Sequence, residues 1–144
     1  MDTSNLTLLT DLYELTMMQG YFKTGSQETV VFDAFYRCNP SNGGYAICAG
    51  LEQIMDYIKG LHFTERDIAY LRSLGIFEED FLAYLKDFRF SGDIYAIPEG
   101  TVIFPREPLV KVIAPIMEAQ LVETAILNIL NHQSLIATKA ARVC

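Results

Sequence analysis

"PLVKVIAPIMEAQLVETAILNILNHQSLIATKAARVC", residues 108–144, changes its hydrophobic period once, at Pro115. Up to that point "DIYAIPEGTVIFPREPLVKVIAP", residues 93–115, alternates with a period of two and is punctuated by Pro98, Gly100, Pro105 and Pro108. That pattern predicts three short strands in a compact β-unit with tight turns. After Pro115, which suits a first helical turn, no breaker occurs to the end of the chain, and about 30 residues of helix would run about 45 Å. Val122, Ala125 and Ile129 lie on one side of this helix, Ile126 and Leu130 on another, and Leu127 and Leu135 elsewhere. A helix apolar all round expects to be covered all round. The final "AARVC" has no glycine or asparagine cap and no polar tail. The expectation is therefore the front part of a longer protein.

Working back towards the N-terminus, "LLTDLYELTMMQGYF", residues 8–22, starts a helix with Thr10 or Asp11 as cap. The Asp11 to Glu14 spacing fits a capping box with aspartate in place of serine or threonine, and Leu12, Leu15 and Phe22 supply a core stripe. "TVVFDAFYR", residues 29–37, reads as a strand with Val31, Asp33, Phe35 and Arg37 on one face. "CNPSNGG", residues 38–44, is a turn, and "YAICAG" returns as a second strand, giving a hairpin. "LEQIMDYIKG" sets Leu51, Ile54, Met55 and Ile58 at helical spacing and stops at Gly60. Thr64 with Asp67 opens a helix carrying Ile68, Leu71 and Leu74 to Gly75, and "EEDFLAYLKDF" makes another short one.

A chain of 144 residues is a one-domain length able to bury about 70% of its unfolded surface. Its 51% hydrophobic, 12% aromatic and 20% charged residues describe a globular protein rather than a disordered one. A net charge of -7 and a pI near 4.7 argue against a nucleic-acid surface, which needs a cationic stripe. No apolar run approaches the roughly 18 to 20 residues of a membrane span, and Asp2 follows Met1 where a signal peptide would carry basic residues. No membrane partner is expected, and a cytoplasmic location is. Cys38, Cys48 and Cys144 are an odd number without CxxC spacing, and His62 and His132 are far apart, so neither a disulfide framework nor a metal site is expected.

Few residues suggest chemistry unaided. Asp11 and Tyr13 fit either a capped, half-buried helix start or a ligand-facing one, because helix N–H groups attract anions and a tyrosine face can stack on a flat heteroaromatic ring. Arg37, beside a turn, can pair with Asp33 on the surface or grip a phosphate or carboxylate in bidentate fashion. Gly43 and Gly44 lack the length and lysine of a P-loop. Neither histidine has a sequence-visible acid beside it; His62, after the Gly60 stop, should be at the surface. The polar residues of the last helix, Glu118, Gln120, Ser134 and Thr138 among them, should find partners across the core or in neighbouring loops.

Three ordered blocks, "LLTDLYELTMMQGYF", "FDAFYRCNPSNGGYAICAGLEQIMDYI" and "PREPLVKVIAPIMEAQLVETAILNILNHQSLIATKAAR", together resemble the N-terminal part of nicotinate phosphoribosyltransferase, a type II phosphoribosyltransferase. The resemblance implies an α+β fold, with helices on a mixed or antiparallel sheet, leading by a long helix into an α/β barrel absent here. Residues 1–114, including the β-unit at 92–113, would form the N-terminal domain, and 115–144 the helix towards the barrel. The family joins nicotinate to 5-phosphoribosyl 1-diphosphate, giving nicotinate mononucleotide and diphosphate, with ATP hydrolysis through a phosphorylated histidine.

In the family the TDLY segment lies at a homodimer interface and reaches the neighbouring subunit's site, where the tyrosine stacks on the pyridine ring. The resemblance thus assigns Tyr13 to the base, with Asp11 beside it, and Arg37 to the phosphoribosyl substrate. It implies Mg2+ and ATP for the full-length enzyme and neither for this segment alone. It places the phosphorylated histidine beyond residue 144, so His62 and His132 take no such role, no catalytic residue is expected in this segment, and the isolated segment should be inactive. Rival readings are a quinolinate phosphoribosyltransferase, which shares the LN...S.IAT pattern seen in "ILNILNHQSLIAT", a nicotinamide phosphoribosyltransferase with the same Asp-x-Tyr opening, and a non-catalytic truncated partner subunit.

Overall fold

A computed structural model describes residues 5–40 and 43–143. Helix α1, Leu12–Thr24, ends at Gly25, whose φ of 68° is the left-handed value that favours glycine after a helix. Strand β1, Thr29–Ala34, and the two-residue β2, Ala46–Ile47, precede three helices: α2, Leu51–Gly60, α3, Glu65–Ser73, and α4, Glu79–Lys86. Strands β3, Asp93–Ala96, β4, Val102–Ile103, and β5, Val110–Pro115, then lead into α5, Ile116–Val143. The fold is α+β, as expected. The capping box of α3 forms in both directions, Thr64 and Asp67 each bonding the other's backbone N–H.

The strand pairing departs from the expected hairpin. β1 pairs antiparallel with β5, from Thr29 opposite Pro115 to Ala34 opposite Val110, while β2 pairs with β4. The physical reason is length and competition: β5 offers six residues with an apolar inner row, whereas β2 has only two. α5 also occupies the backbone beyond β2, where the hydroxyls of Thr138 and Ser134 accept from the N–H groups of Ile47 and Ala49. The segment 93–115 does hold three strands, but they divide between two sheets, β3 and β5 joining β1 in the order β1-β5-β3 and β4 joining β2. Gly92 lets β3 lie close to β5, since a Cβ there would stand 2.6 Å from the Ile113 carbonyl oxygen.

Helix α5 packs against α1, α2, β1, β2 and β5. Six consecutive residues, Met117 to Val122, are buried, so the helix is covered on all sides where it begins. Further along only Ala125, Ile126, Leu130, Ser134 and Thr138 remain buried, and Leu135 and Ile136 face solvent. Its polar groups find partners as expected: buried Glu118 accepts from the backbone N–H and hydroxyl of Ser91, and the exposed Arg142 guanidinium donates to the carbonyls of Pro40 and Tyr45.

Two expectations about single residues, Leu12 and Asp33, need correction. Leu12 is 52% exposed rather than core, because Glu14 takes the inward position in the first turn and Leu15 and Met18 continue the buried stripe. Asp33 does not pair with Arg37: Lys111 stands directly opposite it on β5, and its Nζ lies 2.9 Å from the Asp33 carboxylate. His62 is half-buried, with Nδ1 2.6 Å from the Gly60 carbonyl oxygen, and Asn5 and Thr7 both donate to its own carbonyl. Cys48 is buried and Cys38 exposed; Cys144 and the turn residues Ser41 and Asn42 lie outside the described residues.

Candidate substrate-binding site

The first turn of α1 meets α5 at two consecutive residues, Glu123 and Thr124. Asp11 is the N-cap, with extended backbone, yet its side chain does not cap the helix and the expected capping box with Glu14 is not formed. Both carboxyls turn to α5 instead, drawn by the donors Thr124 offers. The Thr124 hydroxyl lies 3.1 Å from Asp11 Oδ2 and 2.8 Å from Glu14 Oε1, and its backbone N–H donates to Glu14 Oε1 at 3.1 Å. The Thr10 hydroxyl donates to the other Glu14 oxygen.

Glu14 is fully buried. Burial raises its pKa from 4.5 to about 7, against the lowering pull of the Thr124 bonds and with further raising by Glu123. Tyr13, the neighbour between Leu12 and Glu14, points the other way and is 46% exposed. Its hydroxyl donates to Glu123 Oε1 at 3.2 Å, and the opposite oxygen of Glu123 accepts from Gln120 at 3.2 Å. Desolvation, then the charges of Glu123 and Glu14, push the phenol up to about 12, so it stays a neutral donor.

These charges decide what the helix start can bind. Asp11 and Glu123 flank it and Glu14 is buried beneath it, so the helix start offers an anionic group acidic side chains rather than free N–H donors, and a ligand's carboxylate would have to point away from it. What remains for a ligand is the exposed face of the Tyr13 ring, suited to a flat aromatic partner.

Arg37 lies apart from these residues, in the bend after β1. A groove of about 320 Å³ runs between β1 and α5, lined by Phe32, Asp33, Val122, Glu123, Ile126 and Leu127 among others. A second, of about 500 Å³, shares Asp33 and Leu127 and continues to Phe35, Arg37 and Asn131. Eight residues of helix rise separate Glu123, beside Tyr13, from Asn131, beside Arg37, or about 12 Å. The structure thus sets Asp11 and Tyr13 at the first turn of α1 beside Glu123 and Thr124, and Arg37 on the second of two neighbouring grooves that share Asp33 and Leu127. Arg37 is exposed and makes no ion pair among the described residues. Glu123 and Thr124 were not legible as site residues, since their partners stand more than a hundred positions away.

A family model described as the nicotinate phosphoribosyltransferase (NAPRTase) N-terminal domain matches residues 8–131. The chain belongs to the nicotinate phosphoribosyltransferase family. It is 51% identical over 136 residues to nicotinate phosphoribosyltransferase pncB2 of Mycobacterium tuberculosis, covering 94% of this chain and 29% of that protein. With the Bacillus subtilis nicotinate phosphoribosyltransferase the identity is 45% over 140 residues, covering 96% and 29%. The crystal structure of human nicotinic acid phosphoribosyltransferase superposes with a TM-score of 0.84 at 33% identity, over 92% of this chain and 27% of that one. Nicotinate-nucleotide pyrophosphorylase from Pyrococcus furiosus, at 21% identity and a TM-score of 0.59, shares the fold. The chain thus spans under a third of the length of these relatives, and the match lies in the N-terminal domain of the nicotinate phosphoribosyltransferase family.

Proposed function

We propose that the full-length protein carrying this segment is a nicotinate phosphoribosyltransferase. It joins nicotinate to 5-phosphoribosyl 1-diphosphate, giving nicotinate mononucleotide and diphosphate, as an ATP-coupled step of NAD biosynthesis in the cytoplasm. The observation that supports this most is the coincidence of the family match over residues 8–131 with an exposed tyrosine ring on a rigid helix start. In this reading the segment contributes binding groups: Tyr13 stacks on the pyridine ring and Asp11 stands at its edge. Arg37, on the groove beside Asn131, neutralises a phosphate of the ribosyl substrate in its own subunit's site. Two such segments would meet in a homodimer, each lending Tyr13 to the other's site.

As diphosphate leaves, the anomeric carbon becomes cation-like, and the ring nitrogen must be held in line with it. A stacked ring held by Tyr13 keeps that alignment and takes no part in bond breaking. In this reading the full-length enzyme uses Mg2+ and ATP. Those groups, with the phosphorylated histidine, belong in this reading to the part of the relatives' length that the segment does not span.

Base choice separates the rivals. The full-length protein, given 5-phosphoribosyl 1-diphosphate, ATP and Mg2+, should turn over nicotinate with kcat/KM about 100-fold or more above quinolinate and nicotinamide, a difference of ~3 kcal/mol in transition-state binding. Initial rates with each base measure it. Equal or better use of quinolinate or nicotinamide would replace the nicotinate reading.

A further inference from the structure

Glu14 presents a physical puzzle. A carboxyl with no solvent exposure stands directly before Leu15 and one turn ahead of Met18, where an apolar side chain would pack without the cost of desolvation. Its bonds go to one place, the junction with α5: the hydroxyl and N–H of Thr124, supported by the Thr10 hydroxyl. Tyr13, by contrast, holds α5 only through a hydroxyl at 3.2 Å on the exposed rim, a contact in competition with water and too weak to set the ring's own position. The rotation of α1 about its axis depends on its inward face, Leu15 and Met18 packed in the core and Glu14 bonded to α5 in the first turn beside Tyr13.

We propose that Glu14 and Thr124 are positioning residues for base binding, the buried Glu14–Thr124 junction fixing the angle at which α1 presents the Tyr13 ring. The proposal rests on the reading of Tyr13 as the stacking residue. It adds a role for two residues that touch no ligand. Asp11, whose carboxylate shares the same Thr124 hydroxyl at 3.1 Å, is held by the same junction.

The test is steady-state kinetics of the full-length protein with Tyr13→Ala, Thr124→Val, Glu14→Ala and Glu14→Gln. Thr124→Val keeps the shape and removes the hydroxyl. It should raise the nicotinate KM about fivefold, with kcat and the KM for 5-phosphoribosyl 1-diphosphate within about twofold of wild type. Glu14→Gln, still able to accept from Thr124, should recover most of the loss seen in Glu14→Ala. In a Tyr13→Ala background Thr124→Val should add less than twofold, the remainder of its hold on Asp11, because the ring it positions is gone.

An unchanged nicotinate KM in Thr124→Val, an equal rise in both substrates' KM, or full additivity with Tyr13→Ala would overturn the proposal. Should Glu14→Ala fail to fold, the isosteric Thr124→Val decides alone. The two readings fail differently: if Tyr13→Ala leaves the nicotinate KM unchanged, stacking and positioning both fall. If it raises the KM while Thr124→Val does not, only positioning falls.

Discussion

Phe81→Ala lowers the unfolding free energy by about 3–5 kcal/mol, the range for truncating a buried phenylalanine. Phe81 has no solvent exposure. Its ring lies 5.8 Å from that of Phe22 on α1, 5.9 Å from Phe77 and 6.3 Å from Tyr84, in a cluster that ties α4 to the C-terminal half of α1. Removal forfeits both the transfer of the ring from water and the aromatic contacts, and the α-helical backbones on either side cannot close the space. Urea denaturation followed by circular dichroism measures the change. Phe35→Ala, at an exposed ring, provides the comparison and should cost under about 1 kcal/mol. A loss at Phe81 no larger than at Phe35 would mean that α1 and α4 are not packed together.

The second large effect is a pH dependence carried by Glu14. Its carboxyl is raised from 4.5 to about 7 by burial, with Asp11 and Tyr13 of α1, Glu123 and Thr124 of α5 and Tyr57 of α2 around it. The buried Tyr57 hydroxyl has no hydrogen-bond partner among the described residues. Below about pH 4.5 both folded and unfolded chains hold the proton, and Glu14 carries no ionisation penalty. Between pH 4.5 and 7 the unfolded chain releases it while the folded chain keeps it, so stability falls as pH rises; above 7 the loss is complete. With about 1.4 kcal/mol per unit and some relaxation around the charge, the loss amounts to about 2 kcal/mol.

Glu14→Gln lacks this ionisation. Relative to wild type its unfolding free energy should therefore gain about 2 kcal/mol between pH 4.5 and pH 8. Parallel stability curves for the two proteins across that range would show that Glu14 titrates normally and is not buried against α5.

How much of this was legible in sequence follows from how local each signal was. The helices were: Thr64 with Asp67 bracketed the start of α3, and Pro115 marked the step from strand to the 28-residue α5. The alternation in "TVVFDAFYR" set Val31 and Asp33 on one face, which is the exposed one, but the strand ends at Ala34, so Phe35 and Arg37 lie beyond it. Strand partners were not legible, because a nearby turn suggested β2 while the longer apolar row that β1 requires lies some eighty positions on, in β5. Glu14 illustrates the same limit at the site. Its spacing from Asp11 matched a local capping box, and only the arrival of Thr124 from the other end of the chain turned both side chains outward from their own helix. The exposed ring of Tyr13 was indicated by the family resemblance and by no local pattern.

The central claim is that α1 presents the Tyr13 ring to the pyridine base, and the nicotinate KM of Tyr13→Ala in the full-length protein tests it most directly. A lost stack of about 1 kcal/mol or somewhat more corresponds to a rise of roughly five- to tenfold, with the fold and the KM for 5-phosphoribosyl 1-diphosphate retained. A nicotinate KM equal to that of wild type would contradict the account and leave Tyr13 as a packing residue on the rim of α5.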